Sequence, residues 1–193
     1  MLRVEQTPGE GAGFSPLLEP LFLPSEFDEE VADDNVANDV YLWDRVSDMM
    51  TLVSHAVGSA STAADGASGL AFSLSADGRF VTLESEATNL VSPQSDVNAA
   101  TDVFVWDRAS NNALLLSGSQ GSTQATGDGA SSAWAMDARG GWITLETSAT
   151  NLIASGTDTN GTWDVVRVVN PLAPFFSDGF ESSDASAWSS SAP

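Results

Sequence analysis

Nine oxygen-bearing side chains recur in one spacing along the chain: Asp33-x-Asn35-x-x-x-Asp39, Asp96-x-Asn98-x-x-x-Asp102 and Asp158-x-Asn160-x-x-x-Asp164. The copies start 63 residues apart (33 to 96) and 62 apart (96 to 158), the mark of a structural repeat. Asp and Asn oxygens at alternating loop positions suit a hard cation such as calcium, which makes these nine residues candidate metal ligands. Each copy has fewer carboxylates than a tight calcium loop, although the first adds Asp34, and glycine appears in the third alone, as Gly161. An ion held this way binds weakly, in the range of extracellular modules. A second account uses the same atoms. Asp and Asn cap their own backbone in Asx-turns, and the last Asp of each copy pins the start of a strand. Repetition alone favours neither, because a fold-determining turn and a metal site both recur with the unit.

The elements that hold these loops read as strands. Each loop enters an alternating apolar stretch: Asp39-Val40-Tyr41-Leu42-Trp43-Asp44-Arg45, Asp102-Val103-Phe104-Val105-Trp106-Asp107-Arg108 and the weaker Asp164-Val165-Val166-Arg167-Val168. Upstream, Ala71–Leu90 laid on Ala133–Leu152 at an offset of 62 matches at ten of twenty positions, including Thr82-Leu83-Glu84 with Thr144-Leu145-Glu146 and Ala87-Thr88-Asn89-Leu90 with Ala149-Thr150-Asn151-Leu152. The turn signal Asp65-Gly66-Ala67-Ser68 likewise recurs as Asp128-Gly129-Ala130-Ser131. One full unit is therefore predicted as strands at about 69–75, 79–85, 102–108 and 113–117. Ser75-Ala76-Asp77-Gly78 joins the first pair as a hairpin, and Ala109-Ser110-Asn111-Asn112 joins the second. Four antiparallel strands per unit, each unit unable to bury both its faces alone, is the logic of a propeller blade.

Two stretches carry a family resemblance. Leu74-Ser75-Ala76-Asp77-Gly78-Arg79-Phe80-Val81 and Asp102-Val103-Phe104-Val105-Trp106-Asp107-Arg108 resemble the hairpin and third strand of WD40-like, TolB-type β-propeller repeats, common in bacterial envelope and secreted proteins. The resemblance covers roughly residues 33–168 and implies an all-β fold, a binding role and a periplasmic or extracellular location. Ala76 stands where that repeat usually has proline, and Asp137-Ala138-Arg139-Gly140 lacks the Asp before Gly, so the hairpin Asp itself is not needed by every copy.

The chain supplies strands three and four of one unit, all four of a second and strands one to three of a third, about two and a half blades. Closed propellers need roughly four or more. The apolar faces at both ends of such an arc are expected to lack partners. Three readings follow: a piece of a larger propeller, an oligomer that completes the ring, or a curved stack capped by the first thirty residues. The expected organisation is an extended, Pro/Gly-rich lead-in at 1–32, propeller-like repeats at 33–169 and a Ser/Asp-rich tail at 170–193. The tail's Asp178-Gly179-Phe180-Glu181 is similar to short C-terminal segments of some secreted proteobacterial proteins.

Composition limits the function classes. With 27 acidic residues against six basic ones, all Arg, the net charge is −21. Such a chain repels nucleic acid and anionic membrane and attracts divalent cations or cationic partners. The absence of cysteine removes disulfides, thiolate catalysis and zinc-thiolate sites. No stretch approaches bilayer-spanning length, and no basic-then-apolar leader opens the chain, so an exported protein carries its signal elsewhere.

Catalytic constellations are thin. His55 is the sole histidine, and no Gly-x-Ser-x-Gly elbow is present. Glu84 and Glu146 could supply paired carboxylates, but they are repeat-equivalent, and residues repeated by the fold usually serve it. Trp43 and Trp106 are equivalent strand positions, as are Phe72 with Trp134 and Phe80 with Trp142, so these tryptophans are expected in the core between units, leaving Trp163 and Trp188 free to meet a ligand. The sequence thus points to a non-enzymatic binding or scaffolding module for a protein or glycan. The alternatives are a regulatory propeller segment of a larger hydrolase or a structural remnant without its own activity.

Overall fold

The computed structural model describes residues 2–7, 35–153, 158 and 160–173. Ten strands run along it: β1 Leu2–Thr7, β2 Asp39–Asp44, β3 Met49–Leu52, β4 Ser68–Leu74, β5 Phe80–Ser85, β6 Asp102–Asp107, β7 Asn112–Leu115, β8 Ser131–Met136, β9 Trp142–Thr147 and β10 Asp164–Val169. They pair as three antiparallel sheets, ordered β1-β2-β3, β4-β5-β6-β7 and β8-β9-β10. No α-helix occurs among the described residues; Ser119–Gly121 forms a single 3-10 turn. The all-β expectation holds, and the four strands of the full unit lie within two residues of their predicted bounds. Four strands occur in the middle sheet alone; the flanking sheets have three among the described residues, and none of the three closes on itself.

Turn chemistry fixes the hairpins. In the middle sheet Asp77 Oδ1 accepts from Ser75 Oγ (2.6 Å) and the Arg79 N–H (3.0 Å), while Gly78 supplies the left-handed backbone at φ 71°. The equivalent turn of the third sheet has no Asp before its glycine, yet Asp137, two positions earlier, accepts the Gly141 N–H at 2.8 Å. The carboxylate has moved and the turn survives. The two tips are also stitched together, the Ala76 N–H donating to the Ala138 carbonyl at 2.8 Å.

Packing follows from alternation. One face of the middle sheet (Val81, Leu83, Phe104, Trp106) meets Val40 and Leu42 of the first sheet; the other (Phe80, Val103, Val105) meets Ala133, Ile143 and Leu145 of the third. Every residue of β5 and β6 is buried, as expected of a sheet covered on both sides. Burying side chains the size of Trp106, Phe80 and Phe104 contributes roughly 1.5–3 kcal/mol each. These two seams are what hold the units in line.

The two ends of the stack differ. Bare faces were expected at both, yet on the outer side of the first sheet Tyr41 is 5% and Leu52 1% exposed, clustered with Ala63 and Met50. The outer side of the third sheet is open. Trp134 is 70% and Trp142 42% exposed, which corrects the expectation that both sit in the core; Phe72, the equivalent of Trp134 in the middle sheet, is 43% exposed as well, so the open side accounts for Trp142 and not for Trp134. Repeat equivalence places a side chain on a face; burial also needs another sheet stacked against that face, and none of the described residues supplies one. Within the lead-in, β1 pairs with β2 from Leu2↔Asp44 to Thr7↔Asp39, on the side where the middle sheet has its second strand.

Candidate functional site

The three acidic loops lie at one end of the strands, where β2, β6 and β10 begin. In the second copy Asp96 Oδ1 accepts the N–H groups of Asn98 (3.0 Å) and Ala99 (2.9 Å), and Asn98 Oδ1 accepts that of Ala100 (2.8 Å). The third copy repeats this with Asp158 to Asn160 (3.1 Å) and Gly161 (3.4 Å), and Asn160 to Thr162 (2.8 Å). In the first, Asn35 Oδ1 accepts from Ala37 at 2.8 Å, while Asp33 and Asp34 lie outside the described residues. The residue after each Asn is left-handed: Val36 at φ 55°, Ala99 at 48° and Gly161 at 62°. Consecutive Asx-turns force that conformation, costly for Val and Ala and free for Gly.

The Asn amides also hook onto the next unit. Asn98 Nδ2 donates to the carbonyls of Gly127 (2.9 Å) and Gly129 (3.0 Å), and Asn35 Nδ2 donates to that of Ala64, the same 29-residue span. The Ala-Thr-Asn-Leu motif explains its repetition in the same region. Asp65 accepts from the Thr88 N–H (2.7 Å) and Oγ1 (2.6 Å), and Asn89 Oδ1 accepts from the Asp65 N–H (3.0 Å). Asp128, Thr150 and Asn151 form the identical clamp at 2.7, 2.7 and 3.0 Å.

The last Asp of the first two loops is buried, Asp39 at 0% and Asp102 at 2% exposure. Asp102 Oδ1 accepts from Ser117 Oγ at 2.8 Å, and that hydroxyl oxygen accepts the Val103 N–H at 3.0 Å. Asp39, Ser54 and Val40 repeat the relay at 2.7 and 3.0 Å. Burial pushes the Asp102 carboxyl up to about 7; the charge of Asp96 adds to the rise, and hydrogen bonds from Ser117 and Asn98 oppose it. In the third copy Asp164 Oδ1 instead accepts from Asn160 Nδ2 at 3.2 Å. The serines of this relay come from the segment after the fourth strand of each unit and were missed in the sequence, where nothing distinguishes them from many other serines.

In the second and third loops, one oxygen of each of these side chains is engaged by a backbone or side-chain donor, while Asp158 Oδ2 is buried without a partner. Asp96, Asn98 and Asp102 come together, as do Asp158, Asn160 and Asp164, in turns closed by these bonds. Among the described residues no group of three His, Cys, Asp or Glu side chains is placed to hold a metal ion.

Charge is segregated along the strands. Arg45, Arg79, Arg108 and Arg139 lie in the hairpin turns at the opposite end, Arg167 in the half of β10 nearer that end, and Arg3 opposite Trp43 near it. Arg79 grips Asp107 through two bonds of 2.8 and 3.2 Å, and Arg108 joins the middle sheet to Asp44 of the first at 2.6 Å. The loop end carries Asp39, Asp65, Glu86, Asp96, Asp102, Asp128, Asp158 and Asp164, with no Arg among the described residues. This polarity needs the strand directions, so it was invisible in composition.

Other residues singled out in the sequence fall apart spatially. His55 is buried beside Ala63 at the loop end, its Nδ1 within 3.0 Å of the Ala56 carbonyl. Glu84 faces the third sheet, accepting from Ser132 Oγ and the Ala133 N–H, whereas Glu146 lies on the outer face of that sheet, where Trp134 Nε1 donates to it at 2.9 Å. Trp163, at the third loop, is half exposed, and Trp188 lies outside the described residues. No helix among the described residues is long and apolar enough to cross a membrane. Compared with known proteins, the chain matches no protein-family model and no curated protein.

Proposed function

We propose that the chain is a non-enzymatic binding or scaffolding module built from propeller-type units, working in the bacterial envelope or outside the cell, and that its loop end receives the basic surface of a protein partner. One observation carries this reading: three acidic loops, aligned by the stacking of their sheets, form a rim with no Arg among the described residues, while the arginines gather at the other end. A rim of one sign steers and orients an oppositely charged partner. Its turns are fixed by Asx bonds and by the Asp65 and Asp128 clamps, so little ordering entropy is lost on binding. The propeller reading is supported by the antiparallel order of the middle sheet and by the face-to-face seams on both its sides.

An oligolysine peptide titrated against two double variants of equal net charge tests the rim. Glu86→Lys with Val97→Lys changes the loop end, and Val46→Lys with Asp48→Lys changes the hairpin end; these four residues are exposed. The rim pair is expected to weaken binding about tenfold more than the hairpin pair. Equal effects would mean that the peptide senses net charge alone and would sink the proposal.

A further inference from the structure

The open face of the third sheet presents Trp142 and Glu146 from β9 and Val165, Arg167 and Val169 from β10, with Trp134 beside them on β8. At the offset of 62 they correspond to Phe80, Glu84, Val103, Val105, Asp107 and Phe72. In the middle sheet most of that surface is a seam, with Phe80 1% exposed and Val103 and Val105 0%, although Phe72 is 43% exposed; in the third sheet Trp142 is 42%, Val165 72% and Val169 48% exposed. The third sheet repeats the half of an interface that the middle sheet uses. Its side chains are already organised: the Arg167 guanidinium lies 4.0 Å over the Trp142 ring, and Trp134 is bonded to Glu146. Arg167 and Glu146 also cancel in charge, so this face adds no net charge of its own to the meeting of two chains of net charge −21.

We propose that two copies of this chain associate face to face through the outer surface of the third sheet. The stoichiometry follows from the other end of the stack. A head-to-tail array would need the first sheet's outer face as its complement, and Tyr41 and Leu52 there are already buried. With one open sheet face among the described residues, self-complementary two-fold pairing covers that face and stops at two. This pairing is independent of the basic partner proposed for the loop rim, because it uses a sheet face and not the strand ends.

Sedimentation velocity on the full chain from about 1 to 200 µM tests it, together with light scattering. The expected species is a dimer of the 20.0 kDa chain, strengthened by added salt as the mutual repulsion is screened. Val165→Lys, at a position 72% exposed and so tolerated by the fold, is expected to weaken self-association at least tenfold. Val46→Lys, on the β2–β3 turn and 88% exposed, is expected to leave it unchanged, with the thermal transition confirming that both variants fold. A monomer throughout that range, an assembly larger than two, or a dimer untouched by Val165→Lys would each overturn the proposal.

Discussion

The backbone N–H of Ala133 donates to Glu84 Oε1 across the seam between the middle and third sheets, at 2.9 Å. Glu84 is 5% exposed and also accepts from Ser132 Oγ, so one carboxylate satisfies a buried and a partly buried donor on the neighbouring unit. Glu84→Ala is expected to cost about 1–3 kcal/mol, because it strands those donors. Glu84→Gln keeps an acceptor in place and should cost less. Urea denaturation distinguishes the two; equal midpoints for wild type and Glu84→Ala would show that the bond contributes nothing.

Asn98 ties its loop to the next unit through the Gly127 and Gly129 carbonyls. Asn98→Ala should therefore lower stability by about 1–3 kcal/mol. Millimolar calcium should leave the melting temperature of the wild type unchanged, since a ligand bound to the native state alone would raise it. A rise with calcium, absent in Asn98→Ala, would instead support metal binding by these loops.

Asp102 sets a pH dependence. Its carboxyl titrates at about 7 when folded, against 3.8 for an ordinary aspartate, so the native state holds the proton more tightly than the unfolded chain. That contribution is fully present below about 4 and is lost as pH rises through 7, which makes the fold more stable at pH 5 than at pH 8 by roughly 2–3 kcal/mol. Asp44 and Asp107 act the opposite way, but only at low pH. The Arg108 hydrogen bond holds Asp44 below its ordinary value; burial works to raise Asp107, and Arg79, Ala109 and Ser110 together outweigh it. Their contributions vanish below about 4, outside the Asp102 window. Asp102→Asn should flatten the pH 5–8 slope in thermal melts, and an unchanged slope would exclude Asp102 as its source.

The strands were legible because alternation and turn residues act locally: Asp77-Gly78 specified a hairpin, and Asp102 opened a strand. The Asx-turns were legible too, since Asp96 and Asn98 bond to backbone two or three residues on. Relationships across long separations were not. Ser117 carries no mark of its tie to Asp102, and Trp142 looked like a core residue because its equivalent, Phe80, is one. Whether a face is covered depends on what stacks upon it, a property of the assembly of units and not of the strand.

Gathering the arginines at the hairpin turns gives the molecule an electric axis along its strands. A charged wall or a large ionic partner exerts torque on such a body before any contact forms, so it arrives already turned, the carboxylate end leading toward positive charge. Redistributing the same six cations evenly would leave the net charge untouched and abolish that sense of direction.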